Sequence, residues 1–361
     1  MATSAETIAG FGKGFLTDHW YVAGVSKALK PGELGRCEIM GQPIMLGRGP
    51  DAVPIALGDI CPHRAAPLSA GRFVLGEDGH ATVECPYHGW RFGADGRCAA
   101  IPSLTDDQTM DIRRIGVRRY PVRESQGLIF VWMAAEGRET APPEAPPPIF
   151  PGVVGGAPKL VLTDTFASHI DHAVVGLMDP AHGSFVHQQW WWRSQASIHA
   201  KSKAFAPADL GFSMVRHAPS SNSRAYRLLG GQPETEITFR LPGLRWEHVT
   251  IGNRQLLSLT CLTPLTDNAT RITQILWSDH PAVSLLLPFV RIGARRFLRQ
   301  DGAMVDLQSA GLRHKPSLIW IDDADTQARW YAALKREWAA SRREGRDFEN
   351  PVQATTLRWR S

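Results

Sequence analysis

The chain has no apolar run long enough to cross a bilayer, and a membrane is not an expected partner. Its best, PAVSLLLPFV at 281–290, is ten residues long and holds two prolines, against the ~20 that a spanning helix needs. Its start, MATSAETIAGFGKGF, has no basic stretch leading into an apolar core, so no signal peptide is read. No glycine fingerprint follows a strand and opens a helix. The spaced glycines of AGFGKGF (9–15) have no strand before them and read as a flexible N-terminal arm, so direct nicotinamide or flavin binding is not expected. Cysteine is scarce, with five in 361 residues; Cys37, Cys98 and Cys261 are scattered and read as buried thiols. That usage points to a reducing, cytoplasmic compartment. No helix-turn-helix, zinc finger or aromatic-interleaved basic stripe appears, so nucleic acid is not an expected partner. The net charge is +5, with paired arginines at 113–114, 118–119, 295–296 and 342–343. They read first as solvated surface and second as a docking face for an acidic electron-transfer protein.

What is present describes a folded protein of two domains. Hydrophobic residues make up 43% and charged residues 21%, and the length suffices for two cores. From HWYVAGV (19–25) to GLIFVWM (127–133), short β-branched and aromatic runs alternate with Gly, Pro and Asp, the pattern of a small all-β unit over 17–135. Residues 1–16 form the arm. A connector at 136–158, with seven prolines and four glycines, reads as a stiff linker or strap. The remainder, 159–361, reads as helix over 165–192, then strands, helix over 281–312, and a closing helix that starts at DDAD and ends before Gly345. Strand-like stretches include SRAYRLLG (223–230), TEITFRLPGLRWEHVTIG (235–252) and ATRITQILWSDH (269–280). The expected fold class is α+β: a small all-β domain, then an antiparallel sheet with flanking helices.

Two loops carry the strongest chemical signal. CPHR (61–64) and CPYHGW (85–90) each offer one Cys and one His, held by a proline-containing turn, with twenty-one residues between His63 and Cys85. Soft thiolates and borderline imidazoles in a two-and-two set suit zinc or an iron–sulfur centre. LGEDGH (75–80), within that interval, reads as a hairpin. A second set lies in HIDHAVVGLMDPAHGSFVHQQWWWR (169–193), where His182 and His187 are five apart and Asp179 stands three before the first. Five helical residues turn through roughly 140° net. Both imidazoles therefore reach one metal only if the helix bends or ends between them, as Pro180 and Gly183 allow. His169 and His172 read as capping or surface residues, and the tryptophans at 190–192 as packing.

The two loops resemble the Rieske [2Fe–2S] pattern, in which Cys61 and Cys85 hold one iron and His63 and His88 the other. Taken with Asp179, His182 and His187, residues 15–310 resemble the terminal oxygenase component of Rieske non-haem iron oxygenases, of the vanillate demethylase and dicamba monooxygenase type. The resemblance implies a mononuclear Fe(II) on His182, His187 and a downstream carboxylate, best matched by Asp301 in FLRQDGAMVDLQ, with Asp306 as the rival. It implies that Asp179 bridges His88 of a neighbouring subunit to His182 within a homotrimer. Where many relatives have Asn three residues before that Asp, this chain has Gly176. It also implies O2 as co-substrate and electrons from a separate NAD(P)H-dependent reductase, with or without a ferredoxin. The substrate would be a small aromatic or polycyclic molecule, hydroxylated or O-/N-demethylated. Alternatives are a cis-dihydroxylating dioxygenase, a Rieske electron-transfer protein without oxygenase activity, and a zinc-bound scaffold.

Overall fold

The computed structural model describes residues 3–4, 11–76, 79–153, 156–187, 195–219 and 231–361. The chain divides into a unit of Thr17–Ile149 and a unit of Phe150–Ser361 joined by the N-terminal residues through Leu16. The boundary thus falls inside the Pro/Gly-rich segment.

The first unit is all-β among its described residues, apart from short 3-10 turns. Three antiparallel sheets form it: Val122–Ser125 with Leu128–Met133 and His19–Val25; Leu34–Ile39 with Gln42–Arg48 and Pro54–Gly58; and Arg72–Leu75 with Ala81–Glu84, Arg91–Phe92 and Cys98–Ala100. Two of its hairpins turn on residue pairs with positive φ, Met40-Gly41 and Gln126-Gly127. Such two-residue turns match the right-handed twist of the strands they join. Strands Arg72–Leu75 and Ala81–Glu84 pair with Leu75 opposite Ala81, which makes 75–80 a hairpin link as expected; Glu77 and Asp78 at its tip lie outside the described residues. One core gathers Tyr21, Ile39, Ile44 and Val131, and a second gathers Met45, Leu57, Leu68, Val83 and Phe92 together with Cys61 and Cys85.

The second unit is built on an eight-stranded antiparallel sheet. Its order is Leu160–Phe166, Ala269–Ser278, Arg254–Thr266, Leu244–Ile251, Pro233–Arg240, Gly211–His217, Ala200–Ala208 and Thr355–Arg360. Alternation places one face in the core: Ile237 and Phe239 join it beside Phe205, Phe212 and Ile272. Helices α1 (Ile170–Met178), α4 (Leu287–Leu312) and α5 (Thr326–Glu344) cover that face through Ile170, Val174, Leu298, Val305, Tyr331 and Trp338.

Several sequence expectations are corrected here. The helix expected over 165–192 is shorter: Phe166 ends a strand, α1 stops at Met178, and the one-turn α2 (Gly183–Val186) follows a break at Asp179–His182. Pro180 lacks the N–H that a continuing helix would use. The helix expected over 281–312 divides at Leu286 into α3 (Pro281–Leu285) and α4, with Pro288 in the first turn of the latter. The strands at 160–166, 211–217 and 355–360 were not expected from sequence. SRAYRLLG and the tryptophans at 190–192 lie outside the described residues.

Residues 11–16 are no free arm. Phe11, Phe15 and Leu16 pack on the second unit's core, and the Gly12 N–H donates to Asp171 Oδ2 at 2.7 Å. Asp171 is fully buried and also accepts from Tyr331 Oη and Lys335 Nζ, each at 2.6 Å. His169 caps α1 by accepting from the Asp171 N–H. No helix among the described residues is long and apolar enough to cross a membrane.

Candidate metal centres

The first-unit loops follow from tight turns. Cys61 N–H donates to Ala66 O and Ala65 N–H back to Cys61 O, both at 2.9 Å. In the second loop Cys85 N–H donates to Trp90 O at 2.8 Å and Gly89 N–H to Cys85 O at 3.1 Å. Gly89 has φ +69, a conformation that side chains with a Cβ rarely adopt, which explains the glycine after His88. These closures turn both thiols inward: Cys61 and Cys85 are 1% and 3% exposed. His63 and His88 stand outward, their ring centroids 4.5 Å apart. Trp90 stacks on His63 at 4.6 Å and 6°, and Tyr87 lies against His88 at 3.9 Å.

One thiol and one imidazole of the first loop are shifted in opposite directions. Burial, and then the adjacent Cys85, push the Cys61 thiol up, so it ionises only with compensation such as a metal provides. Loss of hydration, with the charges of His88 and Arg64, holds His63 below the usual imidazole range and so in its neutral, ligating form. Trp90 Nε1 is buried without a protein partner, a spare donor beside the loops. Among the described residues, no three of these four side chains converge closely enough for a single ion. Zinc needs such convergence, whereas a two-iron cluster spreads its ligands over two metals. The donor set fits the cluster.

In the second unit the break after α1 does what a straight helix could not. Asp179 caps α1, its Oδ1 accepting the Ala181 N–H at 2.7 Å, and the chain re-enters helix so that His182 and His187 face each other. Their Nε2 atoms are 3.3 Å apart. Asp301, in the middle of α4, places Oδ1 2.9 Å from His187 Nε2 and 3.8 Å from His182 Nε2. Among the described residues, His182, His187 and Asp301 are the group of three that could hold one metal ion. Asp306 is exposed five residues further along α4 and is not in that group.

The rear nitrogens of both imidazoles are engaged. His182 Nδ1 lies 2.8 Å from the Asp179 carbonyl oxygen, and His187 Nδ1 lies 3.1 Å from Gln300 Oε1. With Nδ1–H donating in each case, the lone pair of each Nε2 points to the shared position. Phe297 packs on His187 at 4.5 Å. Gln300 went unnoticed in the sequence; its adjacency to Asp301 on a helix was the available signal. Burial raises the Asp179 carboxyl, but His182 and the Ala181 N–H outweigh it and hold Asp179 below its usual value. Burial likewise opposes charge on His182, yet Asp179 and Asp301 leave its pKa raised.

Residues 19–121 match the family model described as the Rieske [2Fe-2S] domain. The crystal structure of dicamba monooxygenase bound to dicamba superposes with a TM-score of 0.70 over 92% of this chain and 98% of that one, at 22% identity. The chain thus carries a Rieske [2Fe–2S] domain and shares the fold of dicamba monooxygenase, a small all-β domain followed by an α+β domain.

Among curated relatives it is similar to the oxygenase component of dicamba O-demethylase from Stenotrophomonas maltophilia, 35% identical over 48% of each chain. It is also similar to the chloroplastic chlorophyllide a oxygenase of Chlamydomonas reinhardtii, 36% identical over 48% of this chain and 24% of that one. The chain spans between about a quarter and half the length of these relatives.

Proposed function

We propose that this protein is the terminal oxygenase component of a multicomponent Rieske non-haem iron monooxygenase. The observation that carries the reading is the convergence of His182, His187 and Asp301 in a chain that also holds a Rieske domain. Three protein donors on one face leave the other positions of an iron open, as the two-His-one-carboxylate pattern requires. A ferrous ion held there would supply oxygen activation, with electrons from the cluster on Cys61, His63, Cys85 and His88.

The protein's own groups set the conditions. Asp301 brings negative charge to the site, while the Asp179 carbonyl and Gln300 fix the two imidazoles in their ligating tautomers. Asp179 serves as the electron bridge between His88 of a neighbouring subunit and His182. Its low pKa and partial exposure support the role, keeping an ionised acceptor open to a second imidazole N–H. A head-to-tail homotrimer provides the neighbouring cluster, since heterologous contacts close into rings. Electrons arrive from a separate NAD(P)H-dependent reductase, directly or through a ferredoxin, in the cytoplasm.

The reaction is hydroxylation of a C–H bond in an aromatic or polycyclic substrate. Where that carbon is a methyl on oxygen or nitrogen, collapse of the hemiacetal or carbinolamine completes demethylation. The dicamba relative, an O-demethylase, supports this over ring dihydroxylation. The test is oxygen uptake and formaldehyde release with a surrogate reductase, NADH and a panel of methoxy- and N-methyl-arenes. Formaldehyde matching oxygen consumed is expected for at least one of them. Metal-loaded protein that is reduced by the surrogate yet takes up no oxygen with any substrate would favour the electron carrier.

A further inference from the structure

Helix α4 and the turn of α3 before it have two apolar faces. Val283, Leu287, Val290, Ala294 and Leu298 turn to the core or pack against it. The opposite face carries Leu285, Phe289 and Ile292, which are 80%, 72% and 67% exposed. Within α4, Phe289 and Ile292 are three apart and share one stripe, with Leu285 just before it. That stripe runs on into Arg296 and Arg299, with Arg291 and Arg295 alongside, and all four arginines are exposed. Between Asp279 and Asp301 the sequence has these four arginines and no Asp or Glu.

We propose that this face docks on an anionic lipid surface. Large aliphatic and aromatic side chains beside a block of arginine suit an interfacial helix, whose apolar residues sink into the acyl boundary while guanidinium groups reach the headgroups. Charge complementarity selects the occupant. The same face of a second copy would set four arginines against four, a neutral apolar partner would leave the arginines uncompensated, and an acidic electron-transfer protein would engage the arginines without needing Phe289 and Ile292. Lipid binding needs neither metal nor turnover, so the inference stands apart from the oxygenase reading.

The experiment is sedimentation of the full chain, with its cluster, with vesicles of phosphatidylcholine alone or mixed with phosphatidylglycerol, at low and high salt. Two double variants accompany it, Arg295→Gln with Arg296→Gln and Phe289→Ser with Ile292→Ser; the visible spectrum of the cluster and circular dichroism check their fold, and light scattering their size. Binding to the mixed vesicles is expected, weak on phosphatidylcholine and falling as salt rises. At about 1 kcal/mol per basic residue near the surface, removing two arginines should weaken partition roughly thirtyfold. Losing both apolar side chains should also reduce it at least tenfold. The proposal is overturned if mixed vesicles do not bind the protein at low salt. Binding that survives either double substitution also overturns it. Self-association that the Phe289/Ile292 variant abolishes would assign the face to a second copy instead, and equally overturn it.

Discussion

The two candidate metal centres differ in how far along the chain their ligands are gathered. In the first unit four donors lie within residues 61–88, on two turns closed by their own backbone hydrogen bonds and seated on one small core. In the second unit two imidazoles stand on either side of a one-turn helix, and their carboxylate comes from α4, where the adjacent Gln300 is 113 residues from His187. Local construction makes the first centre depend on turn chemistry. The second depends on a helix being interrupted at the right place and on another packing beside it. The first buries its thiols and exposes its imidazoles, as the proposed electron-passing role requires. The second keeps His187 buried and its three donors convergent, as the proposed oxygen-activating iron requires.

That contrast can be broken one centre at a time. His187→Ala removes a ligand only from the second centre. Turnover should be abolished while the visible spectrum of the cluster is unchanged; loss of the red-brown colour would show that the centres had been confused. Asp179→Asn leaves every proposed ligand in place and removes the charged link. Both metals should stay bound, while single-turnover reoxidation of the reduced cluster by O2 and substrate slows by about tenfold or more. Unchanged kinetics would end the bridging role.

Gln300→Leu takes the acceptor away from His187 Nδ1. It should lower Fe(II) affinity at the second centre by about 10–100-fold, read by titration of metal-depleted protein, and leave acid-labile sulfide untouched. Protons provide a finer test. The raised pKa of His182 means that the metal-free site still holds a proton where an ordinary imidazole has lost it. Fe(II) must displace that proton, so affinity should weaken as pH falls through the raised value, with proton release on binding. An affinity flat across that range would show that His182 is not a ligand. The smallest effect belongs to Asp306→Ala: iron content and turnover should match the parent, whereas Asp301→Ala should lose the one iron outside the cluster, and turnover with it.

What could be read in advance follows from the same contrast. The Cys-x-His and Cys-x-x-His loops were legible because every donor sits in a short turn whose proline and glycine announce it. The α+β class was legible from alternation in TEITFRL and TRITQIL. His182 and His187 were readable as a pair only on condition that the helix broke, and Pro180 and Gly183 marked where. The strand Thr355–Arg360 was missed because its partner, Ala200–Ala208, lies far away in sequence, and pairing of that kind leaves little local trace. The strand Leu160–Phe166 was missed because it runs almost directly into α1. Burial of Asp171 was invisible for a similar reason. Its partners Tyr331 and Lys335 are on α5, and only the fold brings a lysine to a carboxylate that has left water.

The most direct test of the account is the iron and acid-labile sulfide content of anaerobically purified protein, read beside its visible spectrum. Two separate centres predict roughly three iron and two sulfide per chain, with one iron removable by mild chelation and restored by added ferrous ion. Roughly two iron and two sulfide, with no further iron taken up, would contradict the second centre and leave an electron carrier in its place.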